Sequence, residues 1–127
     1  MQVLLTSEEI VNVLFKCFCD GGLELLGYSG IKLDYEESDY KAARKALEHP
    51  SQEEVYCQML KENRRLAFVD TENDNEPVEL TLTIATENLK KPEIAEDVVL
   101  LAGDGDYDAL PCYRVLQFAL YGEVVYG

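Results

Sequence analysis

Apolar residues first recur at helical spacing just after Leu5-Thr6-Ser7-Glu8-Glu9-Ile10. Ile10, Leu14, Cys17 and Phe18, widened by Val11 and Phe15, form one stripe, the 3.6-residue period of a helix with one face in a core. Thr6 stands where an N-cap belongs and Glu9 three residues on completes a capping box, while Leu5 and Ile10 occupy the positions of a hydrophobic staple. Asp20-Gly21-Gly22 supplies a stop, so the pattern predicts a core helix over Ser7 to Cys19.

From Leu23 to Tyr35 the pattern is lost. Two glycines interrupt LELLGYSGIKLDY, and the expectation is an irregular crossing with at most a short strand or turn. A second helix is predicted to begin between Asp34 and Ser38, with Tyr40, Ala43 and Leu47 on one face, Lys41, Arg44 and Lys45 around the other, and Pro50 as its end. Ser51-Gln52-Glu53-Glu54 is another capping box. It opens a third helix that turns Val55, Met59 and Leu60 inward, with Asn63 as the residue for its C-terminal cap.

The period then changes to two. Arg65 to Thr71 and Pro77 to Ile84 have strand character, and in the second Val78, Leu80, Leu82 and Ile84 alternate with Glu79, Thr81 and Thr83. ENDNE between them reads as the turn of a hairpin that pairs Leu66 to Asp70 with Val78 to Leu82. One helical turn is expected before Pro92 and a helix after it on Ile94, Val98 and Leu101, although VVLL also suits a strand. A last helix begins with Asp108 as N-cap, which puts Pro111 in the first turn, and ends at Gly122. Cys112, Val115, Leu116, Ala119, Leu120 and Phe118 cover so much of its circumference that it should be a central helix, and EVVYG can add a final short strand. The class is α+β: a single compact domain, residues 1–127, with four to five helices packed on a small antiparallel hairpin-based sheet.

Composition fits that picture. At 127 residues, with 47% hydrophobic and 28% charged side chains, there is material for one core. Charge or glycine breaks every apolar run before the roughly 20 residues a bilayer span requires, so no membrane helix is expected. MQVLLTSEEIVNVLF has no basic start and carries Glu8 and Glu9 where a signal peptide needs apolar residues, which points to a cytoplasmic location. Cys17, Cys19, Cys57 and Cys112 are therefore read as free thiols. Cys17 and Cys19 diverge on a helix and no CxxC knuckle exists, so structural zinc is not predicted.

Candidate chemistry is sparse. If Asp104 opened a calcium loop, Asp106 and Asp108 would fit its third and fifth positions, but Ala109 replaces the turn glycine and Val115 the final glutamate. DGDYD reads better as solvated carboxylates at the positive end of a helix dipole. GxSxG, HExxH and phosphate-binding glycine loops are absent from the chain. His49, the one histidine, sits at a helix end. No catalytic residue, metal site or cofactor is assigned. Lys41, Arg44 and Lys45 read as a solvated helix face with scope for a short-range phosphate contact, and Tyr113, Tyr121 and Tyr126 as core residues or as anchors for a partner.

Charge changes the picture most. The net value is −14, and it is uneven: residues 1–69 hold 12 acidic and 8 basic side chains, residues 70–127 hold 13 and 3, giving −4 and −10. Direct binding to nucleic acid or an anionic membrane needs cationic surface and is not expected. The candidate partner-binding residues are Glu72, Asp74, Glu76 and Glu79 around the hairpin, with Asp70 and Glu87 nearby, then Glu93, Glu96 and Asp97, and finally Asp104, Asp106 and Asp108. Carboxylates spaced like the phosphates of a duplex can occupy a groove built for nucleic acid. The competing reading is that they only keep the domain soluble.

LQFALYGEVVYG at the end of the chain, and SDYKAARKAL in the second helix, resemble segments of small acidic proteins of unassigned function encoded by phages and mobile elements of gut bacteria. The resemblance implies an origin and supplies no site residue. Many accessory proteins of such elements resemble inhibitors of host restriction or CRISPR nucleases. The expectation is a non-enzymatic acidic inhibitor that mimics nucleic acid and blocks a basic host nucleic-acid-binding protein or nuclease. The alternative is an interaction module of the element's replication or assembly machinery, and a third class is a small carboxylate- and metal-dependent hydrolase.

Overall fold

The structure, a computed structural model, describes residues 5–127. Among them, seven α-helices and a three-stranded antiparallel sheet form one α+β core. Helix α1 (Ser7–Cys19) starts with the complete capping box, Thr6 Oγ1 accepting from Glu9 N–H and Glu9 Oε1 accepting from Thr6 N–H. Its Ile10, Val11, Val13, Leu14, Cys17 and Phe18 are buried, and Leu5 packs against the same core.

The segment expected to be irregular is ordered into α2 (Gly22–Tyr28) and β1 (Ile31–Asp34). Gly22 is there because the start of α2 is wedged in: a Cβ at that position would lie 2.4 Å from the Cys17 carbonyl oxygen and 3.2 Å from that of Cys112. Of the two glycines inside the segment, Gly27 is carried within α2 with open space around it, and Gly30, φ +84°, makes the turn from α2 into β1. Helix α3 (Glu37–Arg44) stops five residues earlier than the apolar pattern suggests. Two three-residue hydrogen bonds, Ala46 N–H to Ala43 and Leu47 N–H to Arg44, carry the chain into a left-handed residue at His49, φ +49°.

Helix α4 (Gln52–Lys61) has its Ser51–Glu54 capping box. Asn63 is left-handed, φ +60°, with Asn63 N–H bonded to Leu60 O and Arg64 N–H to Met59 O, the Schellman arrangement just past the Glu62 cap.

Strands β2 (Leu66–Asp70) and β3 (Val78–Leu80) form the hairpin, pairing Leu66 with Leu80, Ala67 with Glu79 and Phe68 with Val78. β2 is central, with β1 on its other side pairing Ile31 with Asp70 and Leu33 with Phe68. Ile31, Leu66, Phe68 and Leu80 face the core, while Lys32, Asp34 and Glu79 are exposed.

The expected second strand is overturned beyond Leu80. Thr81 Oγ1 accepts from Ile84 N–H as an N-cap and starts α5 (Leu82–Leu89). This leaves Ile84 37% exposed, so the alternation of Leu82 and Ile84 had no second buried row behind it. A 3-10 turn (Pro92–Ile94) leads into α6 (Ala95–Ala102), which settles VVLL as helix. Helix α7 (Ala109–Tyr121) matches its predicted bounds: Asp108 is the N-cap and Gly122 ends it at φ +74°. It packs against α1, α2, α5, α6 and β3, as a central helix should. EVVYG forms no strand and follows α7 as a tail without regular secondary structure. Among the described residues, no helix is long and apolar enough to cross a membrane.

Candidate functional site

The exposed carboxylates are arranged by α7. Its 13 residues make a rod about 20 Å long at roughly 1.5 Å per residue. The DGDYD loop is at its N-terminus, and the hairpin loop lies against its C-terminal end, where Asp70, Asn75 and Glu76 line a cavity together with Tyr121 and Tyr126. Between them α6 is tied to the middle of α7 by a two-point ion pair, Arg114 Nε to Asp97 Oδ2 at 2.6 Å and Nη2 to Oδ1 at 3.0 Å. Arg114 and Tyr121 are seven residues, about two turns, apart and so face the same side of α7. Acidic groups therefore stand at both ends of the helix, with the Asp97–Arg114 pair between them.

The hairpin loop owes its shape to Asp70. Its carboxylate accepts from Glu72 N–H, Asn73 N–H and the side-chain amides of Asn73 and Asn75. The Glu72 amide, followed by the side chain of Asn75, holds this carboxyl below its usual range. Thr71 anchors the loop to the turn between α2 and β1, donating through both N–H and Oγ1 to Gly30 O at 2.8 Å. Glu72, Asp74 and Glu76 are exposed, and none makes an ion pair among the described residues.

Beneath this loop is a cavity of about 180 Å³. Ile31, Phe68 and Val78 supply apolar walls; Tyr121 and Tyr126, edge to face with centroids 6.2 Å apart, supply aromatic ones; Asp70 and Glu76 supply negative charge. Burial, with Tyr126 next to it, pushes the Tyr121 phenol up to about 12, so it stays protonated. The tail reaches this position through Gln117, which is fully buried: its Oε1 accepts from Val125 and Tyr126 N–H and its Nε2 donates to Tyr126 O. Apolar walls, two ring systems and two carboxylates suit the aliphatic stem and cationic head of an arginine or lysine side chain.

The remaining candidates divide into engaged and unengaged groups. Glu79 pairs with Arg65 at 3.1 Å, Asp97 is held by Arg114, and Asp108 is committed to Leu110 N–H as the α7 cap. Glu93, Glu96, Asp104 and Asp106 are exposed without an ion pair among the described residues. The DGDYD loop is pinned from α1: Lys16 Nζ donates to Leu101 O and Gly103 O, and Tyr107 Oη donates to Asp20.

Among the described residues, no three histidine, cysteine or carboxylate side chains converge as metal ligands. All four thiols are free, and burial pushes Cys17 and Cys57 up, the latter to about 12, which makes them poor nucleophiles. Tyr113 is a core residue with its hydroxyl satisfied by Ser29 Oγ at 2.7 Å. Sequence reasoning missed the cavity walls from β1, β2 and β3, because only the sheet register brings Ile31, Phe68 and Val78 under the tail. No protein family, curated protein or solved structure matches the chain.

Proposed function

We propose that this chain is a stoichiometric acidic binding protein that occupies the nucleic-acid groove of a basic partner, as a mimic of nucleic acid. The observation that carries the reading is the tyrosine and carboxylate cavity at the base of an acidic loop, which offers a defined seat for one cationic side chain. The carboxylates flanking α7 extend the field over about 20 Å, a length on which a duplex presents about a dozen phosphates. With fewer charges than the duplex, the protein gains its contact from placement, and a partner side chain seated against Tyr121 and Tyr126 is the anchor. The partner class is a host protein that binds nucleic acid or cleaves it.

The test is elution. Proteins retained from host lysate on the immobilised chain at low salt should be released by duplex DNA and by raising salt, since opposed fields are screened over about 8 Å at physiological ionic strength. Retention that resists both would contradict the mimic. A second reading, an interaction module of a larger assembly, draws on exposed apolar residues: Val99 (53% exposed) and Leu100 on α6 and Leu110 (52%) at the start of α7. Salt-indifferent binding lost on Leu110→Ser would favour it.

A further inference from the structure

One concave surface has the opposite sign. The turn between α3 and α4 encloses an open groove of about 580 Å³ lined by Lys41, Arg44, Lys45, Leu47, Glu48, His49 and Pro50. Lys41, Arg44 and Lys45 stand at i, i+3 and i+4 and share one helix face. Against Glu48 the lining carries 3 − 1 = +2 before His49 is counted, in a chain whose net charge is −14. Arg44 and Lys45 make no ion pair among the described residues, and Lys41 has only an exposed contact with Glu37 at 3.7 Å.

Stabilising the α3 dipole would account for cations in its last turn, but not for a cavity, nor for the backbone beyond. His49 adopts φ +49°, a region few residues other than glycine occupy, and does so immediately before Pro50. This reversal brings the imidazole and Pro50 onto the groove wall beside the helix cations, while Leu47 and Pro50 provide apolar surface.

We infer that the groove binds a small phosphorylated organic molecule of about nucleotide size. Its phosphate is taken by Arg44, Lys45 and Lys41, and its organic body rests on Leu47 and Pro50. Arginine offers a planar fork of donors that matches phosphate oxygens, and lysine adds point charge. The volume lies within the roughly 300–1,000 Å³ of small-molecule sites. Distant carboxylates do not cancel the attraction, because beyond about 8 Å they are screened at physiological ionic strength while contact charges are not. A polynucleotide is disfavoured for the same reason: it would extend outside the groove over acidic surface.

The test is titration of the full chain, isotopically labelled for amide NMR, with adenosine monophosphate, inorganic phosphate and adenosine in parallel. Adenosine monophosphate should give saturable shifts confined to residues 41–50, inorganic phosphate weaker ones at the same amides, and adenosine none. Arg44→Gln with Lys45→Gln, both at exposed positions, should weaken binding of the monophosphate by about tenfold or more and leave other amides in place. Equal binding of adenosine, unsaturable shifts, or a double variant that binds as the parent does would overturn the inference. So would a single-stranded oligonucleotide that engages residues 41–50 more tightly than the monophosphate.

Discussion

The hairpin loop, residues 71–77, and the DGDYD loop, residues 103–108, sit at opposite ends of α7 and expose similar numbers of carboxylates, yet they are held in different ways. In the first, one acid, Asp70, organises the loop from its base by accepting hydrogen bonds from four donor groups, and Glu72, Asp74 and Glu76 are left to solvent. In the second, the ordering comes from outside, through Lys16 on the carbonyls of Leu101 and Gly103 and Tyr107 on Asp20, and Asp108 is consumed as a helix cap. The first loop stands over a cavity walled by two tyrosines and two carboxylates, whereas the cavity of about 310 Å³ that Asp104 borders in the second has Phe15 as its aromatic wall and already holds a cation, Lys16. Equal charge therefore rests on unequal supports: tyrosines and a sheet at the hairpin end, and a loop pinned by Lys16 and Tyr107 at the DGDYD end.

The comparison breaks most readily at Gln117. Gln117→Leu leaves the Val125 and Tyr126 amides without their acceptor and should cost about 1–3 kcal/mol in denaturant unfolding, with faster amide exchange at 125–126. The Tyr126 wall of the cavity should loosen while the Asp108 cap is unchanged. Unaltered exchange at Tyr126 would show that the tail is held by something else.

Asp108→Ala should cost about 1 kcal/mol through loss of the α7 cap, whereas Asp104→Ala and Asp106→Ala should stay within about 0.5 kcal/mol. Thermal melts of the three variants check this, and equal losses would mean the loop acts as a unit. Asp70 gives a pH signature. Its carboxyl is lowered in the folded chain, so the stability it contributes is complete above the ordinary aspartate value near about 4 and is lost as pH falls through the lowered folded value. Asp70→Asn should remove that part of the acid dependence, measured as melting temperature against pH. The smallest effect is expected from calcium, which should produce no saturable rise in melting temperature, because DGDYD lacks the loop glycine and closing glutamate. A saturable rise abolished by Asp104→Asn with Asp106→Asn would return the loop to the metal sites.

The parts of the fold legible in the sequence were those with local causes. Thr6–Glu9, Ser51–Glu54 and Asp108 mark helix starts by side-chain to backbone bonds made within three residues, and all three are present. Leu66 to Leu80 is legible as a hairpin because one buried face enforces alternation. Where the cause is tertiary, the pattern misled. Asp20-Gly21-Gly22 does stop α1, but a new helix starts at Gly22, wedged against the carbonyls of Cys17 and Cys112, and Leu82 and Ile84 continue an alternation that the Thr81 cap turns into helix. The acidic candidates were visible as residue types. Which of them are neutralised by Arg65 or Arg114, and which stand over the Tyr121 and Tyr126 cavity, depends on contacts between residues 9 to about 50 positions apart, beyond any local rule.

The central claim is that placement, not the total of negative charge, directs binding, and one pair of titrations tests it. Asp74→Asn with Glu76→Gln removes the same charge as Asp104→Asn with Asp106→Asn, all at exposed positions that leave the core alone. Each double variant is titrated with a short arginine-rich peptide at physiological ionic strength, following the tyrosine ring signals of Tyr121 and Tyr126. The account predicts that the hairpin pair weakens binding about tenfold more than the DGDYD pair and abolishes the tyrosine shifts. Equal weakening by both pairs, with tyrosine signals unmoved in the parent, would contradict it and leave the acidity as a solubility device.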